Sequence, residues 1–372
     1  MKRAGGHHPD LVLAGLVGVL LLFGLVMLSS AGAVLGFERF NDSNYFLKNQ
    51  SIAVVIGLIG LAITYRIPYT RWRALAVPLL LVTIILLLLV FMPGIGSFFL
   101  GARRWINLGF TTIQPSEIAK LTFIIYLAAW FERRAGNLRD IHSGLVPFLI
   151  TVGTMGALIL AEPDLGTTIV LILVSLSMYF VAGAPWRHLV GIGTAGLGLI
   201  AILIKVAPYR TQRFTVFLNP DFDPQGIGYH INQALLAIGS GGWLGVGLGH
   251  SRQKFNYLPE PAGDSIFAVT AEELGFLFVV AFLAAWCVVM YRGFQISRQA
   301  PDQFGSLLAA GITAWLGIQA FLNIGALSGL LPLTGIPLPL MSHGGSAMIV
   351  NLTGVGILLN ISRHTVRSVS RR

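Results

Sequence analysis

Glu117 and Lys120, Glu162 and Asp164, Asp264, and Glu272 with Glu273 are ionisable side chains set inside or at the edge of long apolar runs. They are the residues of this 372-residue chain whose types and spacing could do chemistry. An ionisable group at membrane depth is costly and is a functional candidate by default. Glu117 and Lys120 stand three apart, so on a helix they share a face and can pair. Such a pair could simply tie two helices together, or Lys120 could draw in an anionic head group. Glu162 and Asp164 flank Pro163 in a short turn, where a carboxylate could cap a helix opening near Gly166. Asp264 closes the stretch Tyr257-Leu-Pro-Glu-Pro-Ala-Gly-Asp264, shaped by two prolines and a glycine, just ahead of an apolar run. It could be an N-cap there and nothing more, or it could be a general base. Glu272 and Glu273 lie two turns further in.

Cations stand around these acids. Arg103, Arg104, Arg210, Arg213, Arg252 and Lys254 fall in connecting segments, beside Lys205 and Lys120. Snorkelling at an interface explains a few of them. Six near an acidic site suit an anion better, and Arg suits phosphate because its planar fork binds two oxygens. Other chemistries are poorly served. The run Gly239-Ser-Gly-Gly-Trp-Leu-Gly-Val-Gly-Leu-Gly249 lacks the Gly-Lys-Ser/Thr ending of a phosphate-binding loop, so it reads as tight backbone packing or a bend. No His/Cys cluster has metal-ligand spacing, and the single Cys287 forms no internal disulfide.

The elements that must position these residues are membrane helices. The chain is 55% hydrophobic and 11% charged, less than half the charge of an ordinary soluble domain. That excludes a water-soluble enzyme, a disordered chain and a secreted disulfide scaffold. Continuous apolar runs predict ten helices, each able to cross about 30 Å of hydrocarbon. They are Leu11–Leu28, Gln50–Tyr65, Ala74–Met92, Pro115–Phe131, Gly144–Ala161, Gly166–Gly183, Leu189–Val206, Ile266–Met290, Ser306–Leu331 and Gly345–Ile361. The expected fold is an all-α integral membrane protein, one polytopic domain over residues 1–372. Its one long connection, about 207–265, lies between helices 7 and 8 and carries a mixed sequence that suggests re-entrant or interfacial packing. The first run, after Met1-Lys2-Arg3, is too long for a cleaved signal peptide and reads as a retained helix.

Charge counting gives an orientation. With both termini cytoplasmic, the inner side carries 15 of the 25 basic residues, among them Arg66, Arg133, Arg187 and Arg367, against four acids. The outer half keeps ten bases and eleven acids. This is the positive-inside bias of short loops. The net charge of +10 is then a signal of topology rather than of a nucleic-acid partner.

The same segments resemble the SEDS family (shape, elongation, division and sporulation), the FtsW/RodA group of membrane peptidoglycan glycosyltransferases. The resemblance rests on Gly101-Ala-Arg-Arg-Trp-Ile-Asn-Leu-Gly109, Gln114-Pro-Ser-Glu-Ile-Ala-Lys120, Glu162-Pro-Asp-Leu-Gly-Thr167 and Asp223-Pro-Gln-Gly-Ile-Gly-Tyr229. It continues in Ser251-Arg-Gln-Lys254, Leu258-Pro-Glu260, Phe267-Ala-Val-Thr-Ala-Glu-Glu-Leu-Gly275, Thr334-Gly-Ile-Pro-Leu-Pro-Leu-Met-Ser342 and Gly344-Gly-Ser346. Gly101–Trp105, Ser251–Lys254 and Leu358-Leu-Asn-Ile-Ser-Arg363 look more like the division-type FtsW branch. The resemblance implies a ten-helix SEDS bundle in the bacterial cytoplasmic membrane, an outer-face active site, and lipid II as substrate. It implies a class B penicillin-binding transpeptidase as partner, among other divisome or elongasome membrane proteins. It places the family's essential aspartate on Asp264. The candidate substrate contacts are Arg103, Arg104, Glu117, Lys120, Asp164, Arg210, Arg213, Lys254, Glu260, Glu273, Ser342 and Ser346. It implies no resident cofactor beyond a divalent cation, magnesium or manganese, that the substrate pyrophosphate could carry. The chain departs from the family's pattern in several places: Ala262-Gly263 stand where His-Thr is usual before the aspartate, His230 follows Tyr229 where Gln is usual, Ala234 follows Gln233 where Ser is usual, and His343 and Ala347 stand where Tyr and a second Ser are common. A lipid II flippase would set ionisable groups near the bilayer midplane, and Glu117, Lys120 and Glu273 keep that alternative open. A non-catalytic scaffold for a transpeptidase accounts least well for the outer acids.

Overall fold

The computed structural model describes residues 8–99, 102–107, 112–206, 208–219 and 222–365. The helices are α1 (Leu11–Ala31), α2 (Ala33–Phe40), α3 (Tyr45–Arg66), α4 (Thr70–Leu89), α5 (Pro115–Arg133) and α6 (Val146–Ala161), the last entered through a π-helical turn, Ile141–Leu145. Then come α7 (Leu165–Val181), α8 (Trp186–Val206), α9 (Pro208–Leu218), α10 (Tyr229–Ser240), α11 (Ile266–Gln299), α12 (Gln303–Leu327) and α13 (Gly345–Ser362). Each of the ten expected spans falls on one of these helices. Among the described residues, seven helical segments are long and apolar enough to cross a membrane: α1, α3, α4, α6 with its π turn, α11, α12 and α13. The helix α7 is apolar but has only 17 residues. The most apolar windows of the central elements α12 and α13 are 78% and 83% buried, whereas those of α4 and α11 are 22% buried.

Two features were not expected from the sequence. Between α4 and α5 lies a three-stranded antiparallel sheet of β1 (Gly96–Phe99), β2 (Ala102–Asn107) and β3 (Thr112–Ile113), in that order. The long connection after α8 is substantially helical, carrying α9 and α10, and α10 buries Ile231, Ala234 and Ala237.

Beyond α10 the glycine-rich run behaves as its composition suggested. The helix α11 is broken at Gly275, with φ 75° and ψ −178°. A break leaves backbone groups unpaired, and in lipid such groups must be satisfied within the protein. The run supplies the partners. The N–H groups of Val246 and Gly247 donate to the carbonyls of Glu272 and Glu273 (both 3.0 Å), while those of Phe276 and Leu277 donate to Gly242 and Trp243 (2.9 and 3.2 Å). A Cβ on Gly275 would lie 2.2 Å from the nitrogen of Gly245, and one on Gly245 would lie 2.1 Å from the carbonyl oxygen of Glu273. The contact therefore requires glycine on both sides.

Contacts between distant elements sort the connections into two ends, as the charge count grouped them. At one end Asp10 caps α1 and pairs with Arg292 at 3.2 Å, its N–H donates to Ser362 Oγ, Tyr69 bonds Asn360 and Asp302, and Arg73 pairs with Glu132 at 3.0 Å. At the other end Arg39 faces Glu260 at 3.7 Å, Asn256 bonds Glu38, and Lys254 bonds Ser30. The chain thus enters α1 and leaves α13 at the same end of the bundle.

Candidate active site

Asp264 sits at the mouth of α11, on a short loop held by its backbone. The residue in the N-cap position is Ser265, whose own side chain makes no capping bond. From α12, Asn323 Nδ2 donates to the Asp264 carbonyl at 2.7 Å and to the Ile336 carbonyl at 2.8 Å. The N–H of His343 donates to the Ala262 carbonyl at 2.8 Å, and Gly263 and Ser265 donate back to Glu260. The carboxylate lies against the loop that follows α12, since a Cβ on Gly335 would be 3.6 Å from Asp264 Oδ2. That loop also touches the start of α7, where a Cβ on Gly166 would be 2.9 Å from the Thr334 carbonyl oxygen. The segment Thr334–Pro337 thus separates Asp264 from the second group of predicted residues.

This second group is built around Lys120. Its Nζ donates to Glu117 Oε1 at 2.7 Å and to Gln319 Oε1 at 2.8 Å, and it lies 5.4 Å from the Trp315 ring centre. Gln319 Oε1 also accepts from Trp315 Nε1, and Gln319 Nε2 donates to the Pro337 carbonyl at 2.9 Å. Trp315, Gln319 and Asn323 are spaced four apart, which aligns them on one face of α12. They form a buried polar column from the Glu117–Lys120 pair to the loop beside Asp264. Through Gln319, Lys120 ties α5 to α12. A buried pair gains little stability of its own once desolvation is counted, so the column's value is in what it positions. Gln319 and Asn323 were not singled out from the sequence; two amides four residues apart in an otherwise apolar span were the available signal.

Asp164 is the N-cap of α7, accepting from the Thr167 N–H at 3.0 Å and the Thr167 hydroxyl at 2.8 Å, with Gln114 and Ser116 at 3.4 and 3.5 Å. Beside it Glu162 is fully buried, and neither carboxyl oxygen has a hydrogen-bond partner. Burial, and then the nearby Asp164, push its pKa up to about 8, against the pull of Arg104. Arg104 lies on β2 and spends its guanidinium on the turn itself, Nε to the Glu162 carbonyl at 3.0 Å and Nη2 to that of Pro163 at 2.6 Å. Arg104, expected to contact substrate, thus also holds the turn between α6 and α7. Ser346 accepts from the Gln114 N–H at 3.1 Å, and Ser342 Oγ accepts from the Leu338 N–H at 2.8 Å. Gln50, missed in the sequence, donates to the Ser342 carbonyl and accepts from the Gly344 N–H.

Lys254 and Glu273 belong elsewhere. They pair at 2.8 Å by the break in α11, where Lys254 Nζ also donates to Ser30 Oγ and the Gly249 carbonyl. Glu272 accepts from the Ser251 hydroxyl and the Arg252 N–H. An ammonium has three donors, and those of Lys254 are taken up inside the protein. Lys254 and Glu273, both expected to contact substrate, fasten the glycine-rich run to α11 and α1 here. Glu260 is partly exposed and faces Arg39. Arg103 is exposed on β2. Arg210 and Arg213 fall on α9, and their side chains lie outside the described ones. Among the described residues no three of His, Cys, Asp and Glu gather to hold a metal ion.

The chain was compared with known proteins. A family model described as cell cycle protein, FtsW/RodA/SpoVE, matches residues 11–367. A probable peptidoglycan glycosyltransferase FtsW of Geobacter sp. (strain M18) is 41% identical over 362 residues, covering 97% of this chain and 98% of that protein. Stage V sporulation protein E of Bacillus subtilis (strain 168) is 43% identical over 357 residues, 96% of this chain and 98% of that one. Among solved structures, a chain from work on the structural coordination of polymerization and crosslinking by a peptidoglycan synthase complex superposes with a TM-score of 0.81 at 30% identity, over 96% of this chain and 99% of that one. The rod shape determining protein RodA of Thermus thermophilus gives 0.69 at 29% identity, over 96% and 98%.

Proposed function

The chain belongs to the FtsW/RodA/SpoVE family of cell cycle proteins, and from that premise we propose that it is a multi-pass membrane peptidoglycan glycosyltransferase that polymerises lipid II. The observation that carries the reading is Asp264: a carboxylate on a loop stapled by Asn323 and the His343 N–H, beside the end of the buried column that rises from Lys120. In the proposed step the 4-hydroxyl of the acceptor's GlcNAc attacks the anomeric carbon of the donor strand's MurNAc. The bond from O4 to C1 forms as the bond from C1 to the pyrophosphate oxygen breaks, and the hydroxyl proton passes to Asp264. The anomeric centre inverts, and undecaprenyl pyrophosphate leaves with the electron pair. A general base must come within about 3 Å of the proton it takes, and a loop fixed by its backbone suits that demand. Arg103, with Arg210 and Arg213, would meet the charge that develops on the pyrophosphate. The described residues do not form a cage for a divalent cation on their own, and no step here runs through one.

The excess of basic residues in short loops supports an orientation with both termini in the cytoplasm and Asp264 outside. The chain's likeness to one from a peptidoglycan synthase complex supports a single-span transpeptidase as partner. The test incubates the purified full chain, alone and with its cognate transpeptidase, with labelled lipid II. Glycan polymer is expected, and Asp264→Asn is expected to lose on the order of 10²–10⁴ in rate while still inserting and binding its partner. Glu132→Gln, at the other end of the bundle, serves as the control. Parental-rate polymerisation by Asp264→Asn would remove Asp264 from the mechanism. Transport of lipid II across liposomes with no polymer under any partner condition would replace the enzyme with a flippase.

A further inference from the structure

Ser265 holds the position where a serine normally caps its own helix, yet its hydroxyl makes no such bond. It is fully buried, and its Oγ has three neighbours: the Pro259 carbonyl at 2.8 Å, His230 Nε2 at 2.7 Å and Asp264 Oδ1 at 3.4 Å. A hydroxyl has one proton. The Pro259 carbonyl can only accept, so the arrangement that satisfies both short contacts has Oγ donating to Pro259 and accepting from the ring. The bond count thus puts a hydrogen on His230 Nε2. His230 is the second residue of α10, which lies in the long connection after α8.

We propose that His230 is a positioning residue for the reaction at Asp264, holding the Ser265 hydroxyl, and with it the step of chain that bears the carboxylate. The reading rests on the proposed function. Asn323 fixes the Asp264 carbonyl and the His343 N–H fixes Ala262; both act on backbone. The His230–Ser265 bond is a side-chain support within reach of a carboxyl oxygen. The residues just ahead of Asp264, Ala262 and Gly263, have no polar side chain to give it. Without the donor at His230, the Ser265 hydroxyl is free to turn, and a displacement of about 1 Å at a catalytic group can cost 10²-fold.

The test measures kcat and KM for lipid II polymerisation by the full chain, with its transpeptidase present, for His230→Leu, His230→Gln and Ser265→Ala. In Gln the amide nitrogen stands as many bonds from Cα as Nε2 does in His, and it can donate to the same oxygen. His230→Leu is expected to lower kcat by roughly 10–100-fold with KM little changed, and His230→Gln to recover most of that loss. Ser265→Ala should lower kcat similarly, and the Leu/Ala double variant should be no slower than the slower single variant. Parental kcat in His230→Leu would overturn the proposal, as would His230→Gln being as slow as His230→Leu, or independent, multiplying losses in the double variant. If His230→Leu does not fold, Ser265→Ala decides in its place, and parental kcat there overturns the proposal. Absence of polymer from the parental chain would instead count against the proposed function.

Discussion

At the scale of single residues, Glu162 is the side chain that sits least comfortably. It is buried with no partner for either oxygen, and burial and Asp164 raise its pKa from 4.5 to about 8. A group that holds its proton more tightly when folded adds most stability below its unfolded pKa, and that stability drains away as pH rises to the folded value. The window here runs from about pH 4.5 to about pH 8. Within it the unfolded chain has released the proton and the folded chain has not, so this group alone costs about 1.4 kcal/mol per pH unit. Glu162→Gln removes the titration. In detergent, thermal melting of the parental protein should fall relative to Glu162→Gln as pH goes from 5 to 8, with the two differing least at the acidic end. Parallel melting curves across that range would mean that Glu162 is ionised when folded. Acidic positions such as Asp164 and Glu117 were legible in the sequence because charge in an apolar run stands out. Their partners were not, because an amide such as Gln319 or a histidine such as His230 carries no comparable penalty and so gives no comparable signal.

At the scale of elements, the chain's apolar runs fixed where helices lie, and its glycines explain where one of them breaks. Periodicity could not foresee the break in α11, because residues on both sides of Gly275 continue the same apolar pattern. Nor could it foresee the sheet, whose strands of four, six and two residues are too short for alternation to register. The glycine run was readable as close backbone packing, but not which element it would pack on. A partner 30 residues further along the chain is invisible to spacing. The meeting of Gly245 with Gly275 gives a direct prediction. Gly275→Ala places a Cβ against backbone at a φ that L residues rarely adopt, and strain of this kind costs about 1–3 kcal/mol before any clash is counted. The variant should melt several degrees lower and be cut more readily by protease between Trp243 and Gly249. Gly15→Ala, where a Cβ meets nothing within 4 Å, should melt no lower than the parent, since alanine favours a helix interior. Equal melting of Gly275→Ala and Gly15→Ala would mean that the re-entrant contact is dispensable.

At the scale of the whole molecule, orientation is the question that joins the site to its substrate. The sequence divides the connections by charge, and the structure independently gathers them into the same two groups. Asp10, Tyr69, Arg73, Glu132, Arg292, Asp302 and Ser362 meet at one end, and Ser30, Arg39, Lys254 and Glu260 at the other. Charge and fold agree on the grouping because both follow from the number of times the chain crosses between the ends. Only the positive-inside rule says which end is cytoplasmic, and the proposed chemistry depends on it, since Asp264 must face the side where the head group of lipid II is polymerised. Arg187 and Asn219 are exposed and fall on opposite sides of the expected membrane, at the start of α8 and just after α9. Cys287 is also exposed, so it is first changed to serine to leave no background thiol. In that background, a membrane-impermeant maleimide added to intact cells should tag Asn219→Cys and leave Arg187→Cys unlabelled until the membrane is opened. Labelling of position 187 but not 219 would invert the bundle. Asp264 and the column beneath it would then face the cytoplasm, where a fold arranged like this one would have to meet a different substrate.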